Sequence, residues 1–250
     1  MVTHHMIDFM KFETDIPAFR RWLSTVDPKA HIYGFAPKST LAVTLASNGH
    51  HTLLKVLFEE HPTIDVNETN SINFTPLAIA SMRGYVECVR VLLLHPDINV
   101  NQVERDWTAL HWAVEKRQLG TIKALIEDSR VDASVCCGGL MQAPLDLSLE
   151  YPCNISVIEL LLSRKEIDVN GKSFCPPLVA SVLGGQEEAT KLLLGNDSID
   201  LTKKYHGKNA LETAKKTGTR GQVQMLEALM KKKRKRTKTS KKKIVKRRKK

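Results

Sequence analysis

Between residues 75 and 107 the apolar positions fall into two short helical stripes separated by a break. Leu77, Ile79 and Ala80 follow Thr75 and Pro76, a threonine suited to capping a helix and a proline suited to its first turn. Gly84 interrupts the pattern. Val86, Val89, Leu92 and Leu93 then recur at i, i+3, i+6 and i+7, the stripe of a second amphipathic helix, which His95-Pro96 ends. Asp97 to Trp107 form a polar excursion before the next apolar stripe. The pattern predicts two short antiparallel helices and a projecting loop. One such pair cannot bury its own apolar face and must stack on neighbours.

The neighbours are written in the chain. Ile64-Asp65-Val66-Asn67 returns as Ile98-Asn99-Val100-Asn101, weakens to Val131-Asp132-Ala133, recovers as Ile167-Asp168-Val169-Asn170 and ends as Ile199-Asp200-Leu201-Thr202. The second residues of these copies are spaced by 34, 33, 36 and 32. A second marker keeps step: Thr75-Pro76-Leu77, Thr108-Ala109-Leu110, Ala143-Pro144-Leu145, Pro176-Pro177-Leu178 and Asn209-Ala210-Leu211, with leucines spaced by 33, 35, 33 and 33. Two independent markers with one period define a repeat architecture.

The period, the Thr-Pro-Leu openings and the Asp-Val-Asn endings resemble the ankyrin repeat, with Thr108-Ala109-Leu110-His111-Trp112-Ala113 the best match. The resemblance covers residues 41–230 and implies an all-α solenoid of stacked antiparallel helix pairs with projecting β-turn loops. Five units and a sixth terminal pair are expected over 39–230. Trp22, Leu23, Pro28 and Ile32 lie 34 residues before Val56, Leu57, Pro62 and Val66, so residues 1–38 read as an N-terminal half-repeat cap with Asp15 as its N-cap. Asp146 replaces the signature histidine and Pro152 the helix-breaking glycine of the fourth unit. Residues 134–178 are therefore expected to be irregular and to open first.

Composition changes the picture only when the charge is located. The net charge is +11, yet residues 231–250 hold 15 Lys and Arg and no acid, leaving 23 bases against 27 acids elsewhere. A mildly acidic body carries a strongly basic tail. No run of apolar residues approaches a membrane span, and acids interrupt the N-terminal region, so an intracellular soluble chain is expected. Its five cysteines, without a CxxC pair, are expected to be reduced.

Candidate catalytic and metal chemistry is sparse. His61 and His95 precede prolines at equivalent positions and end helices, while His111 belongs to the opening signature. His4-His5 and His50-His51 are adjacent pairs whose rings diverge on a helix. Cys136, Cys137, Cys153 and Cys175 lack zinc-ligand spacing, although Cys136-Cys137-Gly138-Gly139 is a candidate oxidisable thiol pair. Gly171-Lys172-Ser173 mimics the end of a P-loop but has Glu166 where the first glycine is required. No nucleophile elbow, HExxH or kinase signature is present. The sequence predicts no enzyme, no cofactor, no metal and no small-molecule substrate.

What remains is surface. The resemblance implies that the loops and first helices form a concave face for an unidentified protein partner. The projecting residues would be Asn70 and Asn73, then Glu104, Arg105 and Trp107, then Lys204, Tyr205 and His206. Trp, Tyr and Arg are the types enriched at binding hot spots.

Residues 231–250 are expected to be a disordered basic tail. Lys231, Lys232, Lys233, Arg234, Lys235 and Arg236, and Lys246, Arg247, Arg248, Lys249 and Lys250, have the form of a nuclear localisation signal, which would dock on importin. The alternative is a nucleic-acid-associated protein whose tail binds RNA or DNA non-specifically through phosphates, while the repeats recruit a protein. Membrane attachment lacks a second anchoring signal. Thr237, Thr239 and Ser240 between the clusters offer phosphorylation as a way to weaken either use. The sequence thus predicts a non-enzymatic interaction adaptor directed to the nucleus or nucleolus.

Overall fold

A computed structural model describes residues 9–26, 39–139, 141–150 and 152–247, with side chains described as far as residue 233. The chain divides into two compact units, Met1–Gly139 and Leu140–Lys250. Among the described residues the architecture is helix pairs, with one two-stranded hairpin. The sequence's His4, His5, Pro28 and Ile32 fall outside the described residues.

The first unit opens with α1 (Met10–Glu13) and α2 (Ile16–Leu23). Asp15 caps α2, its carboxylate accepting the Ala18 N–H at 2.9 Å, as the sequence predicts. Three helix pairs follow: α3 (Leu41–Asn48) with α4 (His51–Glu60), α5 (Pro76–Arg83) with α6 (Val86–Leu93), and α7 (Ala109–Glu115) with α8 (Leu119–Glu127). The first helices stack on one another, α5 lying between α3 and α7. They are short and nearly wholly buried: every residue from Leu41 to Ser47 and from Pro76 to Ser81 is inside. Their small residues (Ala42, Ala46, Ala78, Ala80, Ser81) let backbones approach closely on both sides. Thr40, Thr75 and Thr108 each accept the N–H three residues on, closing the buried helix starts. Gly49 and Gly84 end α3 and α5 at φ +80°, where a Cβ would be strained.

The second unit contains α9 (Pro144–Ser148) with α10 (Ile155–Leu162), α11 (Pro177–Leu183) with α12 (Glu187–Leu194), the hairpin β1 (Lys204–Tyr205) and β2 (Lys208–Asn209), and α13 (Ala210–Thr217) with α14 (Arg220–Arg247). Five residues make α9 the shortest of these first helices, and its N-cap, Ala143, has no capping side chain. Asp146 closes the start instead. One carboxylate oxygen accepts the Ala143 N–H at 2.8 Å and the other accepts the Ser173 hydroxyl at 2.9 Å. Burial holds this carboxyl above the usual aspartate range.

The recurring Asp-Val-Asn endings now have a physical reason. The first residue of each pair accepts the N–H two positions on, as Asp65 does from Asn67 at 2.8 Å and Asp168 from Asn170 at 3.0 Å. The asparagine then reads the next repeat. Asn67 Nδ2 donates to the Asp97 carbonyl while its Oδ1 accepts the Asn99 N–H, both at 2.8 Å. Asn101 repeats this with Arg130 and Asp132, and Asn170 with Ser198 and Asp200. These rungs lock the backbone of one unit to that of its successor.

The sequence predicts an extended run from residue 231 after a further turn of the preceding helix; in the structure α14 runs to Arg247. No glycine or proline follows Gly221, and lysine and arginine are good helix formers. The helix is already nucleated where Gln222 and Leu226 are buried, so each added residue gains a hydrogen bond without a new nucleus. Lys231 and Lys232 are exposed, and Lys233 Nζ donates to the Ile199 carbonyl at 2.7 Å. The side chains of Arg234, Lys235, Arg236, Lys246 and Arg247 lie outside the described residues, as do Arg248, Lys249 and Lys250 altogether.

Candidate functional site

The loops between helix pairs project as fingers, and their geometry comes from tight turns. At Glu104–Trp107 the two residues exchange backbone hydrogen bonds at 2.8 and 3.0 Å across Arg105 and Asp106, which take φ +51° and +68°. Two consecutive positive φ values are the mark of a type I′ hairpin, whose twist suits the flanking strands. The finger at Tyr205–Lys208 uses His206 and Gly207 at φ +48° and +77° in the same way. At Asn70–Phe74 the turn is one residue longer, with Asn73 at φ +56°.

These fingers sort the residues that the sequence assigns to a binding surface. Asn73, Arg105, Lys204 and His206 are exposed, and Trp107 and Tyr205 are half-buried. Asn70 and Glu104 are not surface residues. Asn70 is buried, its Oδ1 accepting the N–H groups of Ile72 and Phe74 to shape its own turn. Glu104, 5% exposed, accepts the Thr75 N–H at 3.0 Å, so it ties one finger to the helix start of the preceding repeat. Burial pushes its carboxyl up to about 7, against the opposing effect of the bonds from Thr75.

In the first unit the finger aromatics form an inward cluster. Trp107 meets Trp112 of α7 edge-on with centroids 4.6 Å apart, and Trp112 meets Phe74 at 5.1 Å. The Arg105 guanidinium covers Phe74 at 5.5 Å.

In the second unit the aromatics face outward. Phe174 is 69% exposed, and its ring meets Tyr205 at 5.3 Å and His206 at 5.7 Å. Tyr205 and His206 are 4.1 Å apart. The repeat pattern does not single out Phe174, an apolar residue in a polar loop.

The catalytic and metal candidates are placed as parts of the scaffold. Gly171-Lys172-Ser173 lies in a loop leading to α11, without the strand a P-loop requires. His111 Nδ1 lies 2.7 Å from the Thr108 hydroxyl within the helix-opening turn. His95 Nδ1 accepts the Asp97 N–H just after α6, and His50 Nδ1 lies 3.0 Å from a Glu13 carboxylate oxygen. Cys137 is buried, and burial raises its thiol, so it is not an exposed oxidisable group. Burial likewise pushes Cys88 up to about 12 and Cys175 up to about 11. Among the described residues no group of His, Cys, Asp and Glu is arranged to hold a metal, and no helix is long and apolar enough to cross a membrane.

Stacked helix pairs, bidentate asparagine rungs and projecting type I′ fingers define a repeat scaffold that displays side chains. A family model of ankyrin repeats, in three copies, matches residues 40–137. Residues 40–137 are therefore ankyrin repeats, and ankyrin repeats are protein-interaction domains, generally without enzymatic activity. The structure resembles the crystal structure of the human ASB11 ankyrin repeat domain, with a TM-score of 0.66 at 20% identity over 90% of this chain and 98% of that one. It also resembles the ankyrin repeat domain of Bcl-3, a member of the IkappaB family, with a TM-score of 0.66 at 21% identity over 77% and 86%. A curated relative, the NAD-dependent deacetylase sir2B of Dictyostelium discoideum, is 25% identical over 174 residues, which is 65% of this chain and 22% of that protein.

Proposed function

We propose that this protein is a non-enzymatic adaptor that binds a protein partner through its fingers, and that its C-terminal basic run carries it into the nucleus through importin. The observation behind this reading is the finger geometry: exposed Asn73, Arg105, Lys204 and His206 stand on turns fixed by the scaffold. Such preorganisation lowers the ordering cost of binding.

The basic run supports the second half of the reading. An importin groove takes an extended segment, so α14 must melt past its packed turns. Lysines and arginines at i and i+4 repel one another, which makes that melting inexpensive.

The test is a fusion to two fluorescent proteins, with and without glutamine in place of every Lys and Arg from residue 231 onward. Nuclear accumulation of the native chain alone is the expected result. Equal distribution of both removes the nuclear assignment. In that case tail affinity for RNA at two salt concentrations decides the alternative, because phosphate neutralisation falls steeply with salt.

A further inference from the structure

We infer that the two fingers of the second unit form a docking site for an acidic peptide segment carrying an apolar side chain. This inference rests on the protein-interaction reading above and specifies the partner's chemistry.

The fold itself gives no use for the site's central residue. Phe174 is 69% exposed and touches only Tyr205 and His206 among the aromatic side chains described. Yet it is held firmly. The Ser173 hydroxyl, just before it, lies 2.9 Å from both an Asp146 carboxylate oxygen and the Cys175 carbonyl oxygen. Gly171 sits at φ +59°, where an added Cβ would come within 2.8 Å of the Pro177 ring. The second finger is fastened to the first by Lys203, whose Nζ donates to the carbonyls of Asn170 and Gly171 at 3.2 and 2.7 Å. An exposed aromatic on a pinned, cross-linked pair of loops is an anchor arranged in advance of its partner.

The rim specifies charge. Residues 169–176 and 201–209 contain four lysines and no acid. Lys203 is engaged inside, and Lys172, Lys204 and Lys208 are exposed on the same two loops. A partner bringing carboxylates to the lysines and an apolar side chain to Phe174 and Tyr205 satisfies both.

A single-stranded nucleic acid fits less well. Phe174 stands at 85° to Tyr205 and 84° to His206, and Tyr205 and His206 at 62°, so no two rings are parallel platforms for successive bases. Neither finger carries an arginine to fork onto a phosphate.

The experiment is selection of a random 12-residue displayed-peptide library on the full chain. Counter-selection on the Phe174→Ala/Tyr205→Ala variant removes peptides held by the basic run. Recovered peptides are expected to be acid-rich around one aromatic or leucine. Their affinity should fall about tenfold or more for Phe174→Ala and for Lys204→Glu/Lys208→Glu, as for a hot-spot loss, with unchanged circular dichroism. Neutral or basic consensus peptides, or no recovered peptide, overturn the inference. Peptides recovered without counter-selection that bind Phe174→Ala equally well overturn it while leaving the protein-interaction reading intact. Phe174-dependent binding of a fluorescein-labelled 12-nucleotide oligouridine, with no peptide recovered, replaces it with single-strand recognition.

Discussion

Both units place aromatic residues on their fingers, and they use them in opposite ways. In the first, Trp107 and Phe74 rest on Trp112 and Arg105 covers the cluster. In the second, Cys175 and Lys208 hold the positions of Phe74 and Trp107, three residues before the helix-opening leucine. Phe174, Tyr205 and His206 stand at other positions of their fingers and turn to one another instead. Charge follows the same division. The first two fingers of the first unit carry Glu68, Glu104 and Asp106 against Arg105, whereas those of the second carry only lysines. The position of an aromatic within its finger decides whether it becomes core or surface.

The largest test of this contrast concerns Glu104. Its carboxyl sits at about 7 in the folded chain against an ordinary value of 4.5. Stability from this group is fully present below the ordinary value and is lost as pH rises through about 7. At roughly 1.4 kcal/mol per pKa step, the loss approaches about 3 kcal/mol by pH 8. Glu104→Gln keeps an acceptor for the Thr75 N–H, so it should raise stability at pH 8 and flatten the slope between pH 5 and pH 8 in denaturant titrations. Parallel slopes in variant and native chain would show that burial of this carboxyl costs nothing.

Next in size is Trp112→Ala, which leaves Phe74 and Trp107 without a common support. A loss of about 2 kcal/mol in urea unfolding is expected. Asn101→Ala removes a rung, exposing the Arg130 carbonyl and the Asp132 N–H. About 1 kcal/mol is expected, since both groups can turn to water. The smallest effect belongs to Phe174→Ala, within about 0.5 kcal/mol of the native chain. A Phe174→Ala loss as large as that of Trp112→Ala would erase the distinction between inward and outward clusters. Hydrogen exchange sharpens it further: the amides of uncapped, five-residue α9 should exchange faster than those of α5.

Much of the scaffold is legible in the sequence because its determinants are local. Asp15, Thr75 and Thr108 cap helices that begin within three residues of them, and Asn67, Asn101 and Asn170 each serve a fixed neighbour one period away. The fingers are less legible. Asn70 and Glu104 look like exposed polar loop residues, and their burial depends on the register of a two- or three-residue turn. Glu104 also depends on an N–H 29 residues earlier in the chain. Phe174 lies between Ser173 and Cys175, which draw attention for P-loop and thiol chemistry, and it stands one residue further from its helix-opening leucine than Phe74 and Trp107 do. The helical course of the basic run is set by the packed turns before it rather than by its own repelling charges.

The rung made by Asn170 has a chemical consequence. It precedes Gly171, and in a free chain the glycine nitrogen attacks such a side-chain amide, expelling ammonia and leaving aspartate or isoaspartate. Here Nδ2 is held by the Ser198 carbonyl at 3.0 Å, Oδ1 by the Asp200 N–H at 2.7 Å, and the Gly171 N–H points to the Asp168 carbonyl at 3.2 Å. The intact rung therefore shields its own weakest bond. Once deamidated, the side chain presents oxygen to the Ser198 carbonyl and the rung cannot re-form. The mass of this one residue becomes an ageing mark, an irreversible record of how long the repeat has spent open.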